Sequence, residues 1–101
     1  MKAVILAGGL GTRMREETEF RPKPMVEIGG KPILWHIMKI LAGQGVTDFI
    51  VCVGYKGDMI RRYFYNYEAV NRDFTVLLGA SSSLEFHGSL EEEKWRVTLA
   101  D

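Results

Sequence analysis

A chain of 101 residues has room for one small domain, and 47% hydrophobic residues supply enough material for a core, which excludes an intrinsically disordered segment. Thirteen basic and thirteen acidic residues cancel, which argues against a nucleic-acid or membrane-surface partner, since both select a basic excess. A single cysteine excludes an intrachain disulfide and points to a reducing cytoplasm, and no apolar run approaches the length of a membrane span.

Residues 2–6, with the apolar run Ala3-Val4-Ile5-Leu6, are predicted to form a buried strand. The run then breaks at Gly8 and Gly9, short of the apolar core of a secretory leader. Gly8, Gly9 and Gly11 fall within four positions, followed by Thr12 and Arg13. Glycines admit an anion to the bare backbone N–H groups, because no Cβ stands in the way. Arg13 offers a planar fork to phosphate oxygens, and Lys23, between Pro22 and Pro24, offers a compact second charge. The loop is not a GxxxxGK[ST] phosphate loop. Nor is it the dinucleotide fingerprint, because Met14 stands where the third glycine is required. On the glycines alone a flexible turn explains the segment equally well, as an exposed loop lysine explains Lys23. A short helical turn is expected around Met14 to Glu17, and Glu16, Glu17 and Glu19 read as surface or as partners of local cations. The two prolines exclude a regular helix over residues 20–24 and fix the direction of Lys23.

Gly29-Gly30 marks a turn, and Pro32 suits the first position of a helix. Ile33, Ile37, Ile40 and Leu41 recur at helical spacing, widened by Leu34 and Met38, and Gly43 and Gly45 end the pattern. His36 lies on this helix without a second metal ligand at suitable spacing, so packing or a surface contact is expected of it. Asp48 to Val53 is a nearly continuous apolar strand of the parallel, interior type, with Cys52 as a small buried hydrophobe. Asp58 is placed to cap a second helix whose stripe is Ile60, Tyr63, Phe64 and Tyr67, with Arg61 and Arg62 turned to solvent. The aromatic patch Tyr63, Phe64, Tyr65 and Tyr67 exceeds what a small helix buries and suggests a subunit interface. Residues 73–78 read as a third strand, and residues 84–88 as a short strand and turn. Glu91-Glu92-Glu93 reads as a solvated charge run. Residues 94–99 form a half-buried strand with Trp95, Val97 and Leu99 on one face.

Strand, loop, helix, strand, helix, strand predicts an α/β domain with a mainly parallel sheet and flanking helices. The glycine loop then falls at the carboxyl end of the first strand, where such sheets bind ligands. The segments LAGGLGTRM and RPKPMVEIGGKPILWHIMKI resemble the sugar-nucleotide pyrophosphorylases, the sugar-1-phosphate nucleotidylyltransferases. The longer string FRPKPMVEIGGKPILWHIM, with GYKGDMIRRYFYNY after it, resembles the glucose-1-phosphate cytidylyltransferases among them. This resemblance covers residues 1–68 closely and Val97-Thr98-Leu99 more loosely.

It implies a Rossmann-like nucleotidyltransferase fold, incomplete at the C-terminus, with residues 1–101 as the nucleotide-binding part of a longer domain. It also implies transfer of a cytidylyl group from CTP to glucose 1-phosphate. Leu6, Ala7, Gly8, Gly9, Leu10, Gly11 and Thr12 would bind the nucleotide, with Arg13 and Lys23 as the catalytic cations. Mg²⁺ is implied too, with ligands beyond Asp101, because Asp48, Asp58, Asp73 and Asp101 make no convincing set. A homo-oligomer is expected. The alternatives are a non-catalytic nucleotide-binding or assembly module, or a transferase that takes UTP or dTTP.

Overall fold

The computed structural model describes residues 1–7, 22–54, 57–79, 81 and 83–101. Its centre is a parallel sheet of three strands, β1 (Lys2–Leu6), β4 (Asp48–Cys52) and β7 (Arg96–Ala100), in the order β1-β4-β7. The register aligns Val4 with Ile50 and Thr98, and Leu6 with Cys52 and Ala100. Between β1 and β4 lie a 3-10 turn (Lys23–Met25), a two-residue ribbon of β2 (Glu27–Ile28) and β3 (Lys31–Pro32), and helix α1 (Ile33–Gly43). Between β4 and β7 come α2 (Gly57–Tyr65), α3 (Tyr67–Asn71), a hairpin of β5 (Asp73–Leu77) and β6 (Ser83–His87), and a 3-10 turn (Glu91–Lys94).

Side-chain alternation gives the sheet two unlike faces. One face carries Ala3, Ile5, Phe49, Val51, Val97 and Leu99, and it forms the core with Leu34 and Met38 of α1 and Ile60 of α2. Both helices therefore cover the same face. The other face carries Val4, Leu6, Ile50, Cys52, Thr98 and Ala100, and Val4 is 62% and Leu6 82% exposed. Cys52 is only partly buried for this reason, rather than buried as expected.

The expected elements form, with several corrections. Pro32 sits at the cap of α1 in extended conformation (φ −62°, ψ 152°), one residue before the helix instead of as its first member. The buried face of α1 is Leu34 and Met38, while Ile37 and Ile40 point outward, 41% and 64% exposed. The segment ILWHIMKILAG is apolar on almost every side, so its periodicity does not choose a face; the sheet does. Gly45 (φ +92°) ends the helix in the left-handed region, with Val46 N–H donating to Leu41 O at 3.0 Å. Asp58 does not cap α2. The helix begins at Gly57, and the Asp58 carboxylate accepts from Arg62 one turn later at 2.7 Å.

Residues 73–77 do form a strand, but outside the main sheet. β5 pairs antiparallel with β6 in a separate hairpin, which sets Phe74 against Phe86 and Val76 against Leu84 on one face. The described strands are thus one parallel sheet with two antiparallel ribbons. Glu92, expected in solvent, is half-buried and accepts from the Trp35 indole N–H at 3.2 Å.

Candidate nucleotide-binding site

The carboxyl ends of the parallel strands, at Leu6, Cys52 and Ala100, are where a sheet of this kind presents ligands to its loops. β1 delivers Leu6 and Ala7 to that end. Ala7 is buried, and its N–H donates to Cys52 O at 2.8 Å, continuing the ladder one residue beyond the strand. Its N–H is therefore committed to β4. The Leu6 side chain lies on the uncovered face. Gly8, Gly9, Leu10, Gly11, Thr12 and Arg13 lie outside the described residues, as do Glu16, Glu17 and Glu19 and the helical turn expected at residues 14–17.

Lys23 is described, and its surroundings explain how a flexible side chain acquires a fixed origin. Pro22 is fully buried, Met25 and Val26 are buried, and Lys23 between them is exposed. Met25 belongs to the same buried cluster as Leu34 and Met38 of α1 and Ile60 of α2, which anchors the turn in the core. Met25 N–H donates to Pro22 O at 2.9 Å and Val26 N–H to Lys23 O at 3.1 Å, closing the 3-10 turn. The first residue of α1 then holds the segment, as Ile33 N–H donates to Val26 O at 2.9 Å. A lysine on a turn bonded at both ends loses less backbone freedom on meeting an anion than one on an open loop.

At the carboxyl end of the sheet, Gly57 opens α2 against Val53. A Cβ at Gly57 would lie 3.0 Å from Val53 Cβ and 3.1 Å from Cγ2, so the helix approaches the end of β4 as closely as it does only because this residue is glycine. Arg61 on α2 reaches Asp101, just past β7, at 3.0 Å. Among the described residues no three His, Cys, Asp or Glu side chains come together to hold a metal ion.

A cavity of about 290 Å³ lies at the opposite, amino end of the sheet, lined by Phe64, Tyr67, Arg72, Glu92, Trp95 and others. It contains none of the residues expected to bind phosphate. Around it runs a polar network that the sequence did not announce. Trp35 Nε1 donates to Tyr67 Oη at 3.0 Å as well as to Glu92, and Lys31 Nζ sits 5.3 Å from the Trp35 ring and donates to Asn71 Oδ1. The Tyr63 hydroxyl faces that of Tyr67 and is buried, and among the described residues it completes no well-formed hydrogen bond. Burial first, then the neighbouring Tyr67 and Glu92, holds the Tyr63 phenol well above its ordinary range; burial first does the same, more mildly, to Tyr67. Much of the aromatic patch of α2 and α3 is thereby accounted for inside the molecule. Tyr63, Phe64 and Tyr67 pack edge-on or stacked against one another, and Tyr65 alone of the four stands in solvent, 91% exposed. His36, expected to pack or touch the surface, meets the Trp35 ring edge-on at 5.1 Å and bonds Ile28 O at 2.7 Å.

A parallel three-stranded sheet with helices packed against it defines an α/β protein. The chain belongs to the nucleotidyl transferase family, whose model matches residues 2–92. It is 58% identical over all 101 residues to a glucose-1-phosphate cytidylyltransferase of Salmonella typhimurium, and 50% identical over 101 residues to a probable glucose-1-phosphate cytidylyltransferase of Bacillus subtilis. It spans 38% of the first relative and 39% of the second. Among solved structures it is similar to HddC from Yersinia pseudotuberculosis, with a TM-score of 0.63 and 33% identity over 98% of this chain and 34% of that one. The Rossmann-like nucleotidyltransferase fold is therefore that of the family. Among the described residues no helix is long and apolar enough to cross a membrane.

Proposed function

We propose that the chain is the nucleotide-binding part of a cytidylyltransferase that joins CTP and glucose 1-phosphate into CDP-glucose and pyrophosphate. The observation that supports this reading is the Lys23 turn, exposed at its charge, buried on either side and anchored in the core that covers the sheet. The 58% identity along the whole chain to a protein named for that reaction supports the choice of base and sugar.

In the reaction a phosphate oxygen of the sugar phosphate attacks the α-phosphorus of CTP. The bond from that phosphorus to the bridging oxygen breaks, and pyrophosphate leaves with its electrons. Both reactants are anions, so the protein's contribution is positioning and neutralisation of charge. Backbone N–H groups of Gly9, Gly11 and Thr12 hold the triphosphate, Arg13 offsets charge moving onto pyrophosphate, and Lys23 lies between the two anions at the α-phosphate. Leu6 and Ala7 meet the nucleoside through main chain. A Mg²⁺ ion held by carboxylates beyond Asp101 would supply further neutralisation of phosphate charge, and the active protein is a homo-oligomer.

The test is pyrophosphate release from CTP, glucose 1-phosphate and Mg²⁺ by a protein carrying this chain intact. Arg13→Ala and Lys23→Ala are each expected to reduce the rate by about a hundredfold or more, since a preorganised charge-stabilising donor is worth about 3 kcal/mol of barrier, and to leave the melting temperature unchanged. A near-normal rate in either variant rejects the assigned role, and faster release from UTP or dTTP than from CTP rejects the base.

A further inference from the structure

The side chain of His36 makes a bond that the proposed chemistry does not use. It lies on α1, eight positions from Ile28, and its Nε2 is 2.7 Å from the Ile28 carbonyl oxygen. A carbonyl only accepts, so Nε2 carries the proton and donates. Ile28 ends β2, and β2 is the direct continuation of the turn that presents Lys23. The segment from Lys23 to Ile28 is thus bonded to α1 through Ile33 N–H to Val26 O and through His36 to Ile28 O. The first bond is main chain and any non-proline residue at position 33 can make it. The second depends on one side chain. The turn that follows, Gly29-Gly30, has φ of +61° and +81°, in the left-handed region that glycine adopts freely, and it pairs Ile28 with Lys31.

We infer that His36 is a positioning residue for Lys23: its hydrogen bond to Ile28 O fixes the ribbon on which the lysine turn is built, and so fixes where the ammonium meets the α-phosphate. It touches neither substrate. The inference rests on the proposed role of Lys23. It explains why a histidine with no metal partner and no place in the site makes a short, directed bond at the surface of a helix. Because near-attack geometry is sensitive to displacements of about 1 Å, a loosened ribbon is felt in turnover more than in nucleotide binding.

The experiment is a double-mutant cycle on pyrophosphate release, together with CTP protection of Lys23 from acylation in the 101-residue chain, followed by peptide mass spectrometry. His36→Ala is expected to lower kcat by about tenfold or more with KM for CTP changed less than about threefold. His36→Gln, whose amide N–H reaches the same carbonyl, recovers most of the loss. In the Lys23→Ala background His36→Ala costs almost nothing further, because the group it positions is gone. CTP protects Lys23 in the original chain and protects it less in His36→Ala.

Additive losses in the cycle, a normal kcat in His36→Ala, or no recovery with glutamine would each overturn the inference and leave the role of Lys23 intact. A normal rate in Lys23→Ala, or no protection of Lys23 by CTP in the original chain, instead removes the reading of Lys23 and the inference with it. Should His36→Ala fail to fold, His36→Asn, polar but too short to reach Ile28 O, carries the same expectations.

Discussion

The Tyr63 hydroxyl shows how one atom can work against the structure that surrounds it. Its ring packs against Phe64 and Tyr67 at centroid distances of 5.1 and 5.5 Å, while its oxygen is buried without a well-formed bond. A buried, unsatisfied hydroxyl costs about 1–3 kcal/mol of desolvation, so Tyr63→Phe keeps the packing and relieves the cost. The variant is expected to be as stable as the parent or more so by up to about 1 kcal/mol in urea denaturation; a loss beyond about 1 kcal/mol would show that the oxygen makes a bond that matters.

Both phenols hold their protons more tightly in the folded chain than in the unfolded one. Stability from this source is therefore complete below about pH 10 and falls as pH rises beyond it, because only the unfolded state ionises readily there. Thermal melts across alkaline pH should show that decline, and a smaller one in Tyr63→Phe. The exposed pairs Arg62–Asp58 and Arg61–Asp101 are different in kind: water screens them, and each contributes about 0–1 kcal/mol.

At the scale of elements, α2 is set by a single close approach. Gly57 lets the first turn of the helix sit on Val53, and an alanine there meets two Val53 carbons at 3.0 and 3.1 Å, neither of them the end of a long flexible side chain. Gly57→Ala is expected to cost about 1–3 kcal/mol despite alanine's better helix propensity, measured as the shift of the unfolding midpoint. A gain in stability would mean that α2 moves away freely. The β5–β6 hairpin is the opposite case, an element with much of its apolar face outside the core. Phe74, Val76 and Leu84 remain about half exposed on one side, and Arg72 lies 5.5 Å from the Phe86 ring at its base. A two-stranded ribbon is marginal in water by itself, which ties the order of this hairpin to its attachment at Arg72 and Gly88.

For the molecule as a whole, the decisive feature is a parallel sheet covered on one side. β1, β4 and β7 follow each other in one direction across the sheet, and the helices joining them pack on a single face. The expected consequence is a sharp asymmetry between neighbouring strand positions. Phe49 is completely buried and touches the Trp95 ring, so Phe49→Ala should cost about 3–5 kcal/mol and, in a chain this small, most of its stability. Val4 faces outward on the adjacent strand, and Val4→Ser should change stability by no more than about 0.5 kcal/mol. Equal effects in chemical denaturation would mean that the outer face is covered in solution.

The order of the elements was legible in the sequence because it is local. A strand declares itself by its apolar run, and glycines declare a backbone that can come close to an anion. A lysine between two prolines declares a fixed direction, and the described part of that segment is indeed a bonded turn with buried flanks. Tertiary structure decided what local pattern leaves open. An almost wholly apolar α1 has no preferred face until a sheet selects Leu34 and Met38 over Ile37 and Ile40. β5 looks like any core strand until its partner proves to be β6. Glu92 sits in a run of three acids that read alike, and only the indole of Trp35 singles one out. His36 had no partner within its own helix, because that partner is a carbonyl brought to it by the Gly29-Gly30 turn. Periodicity records that a side chain is apolar or polar; which group it meets depends on distances closed across the chain, and those the sequence does not contain.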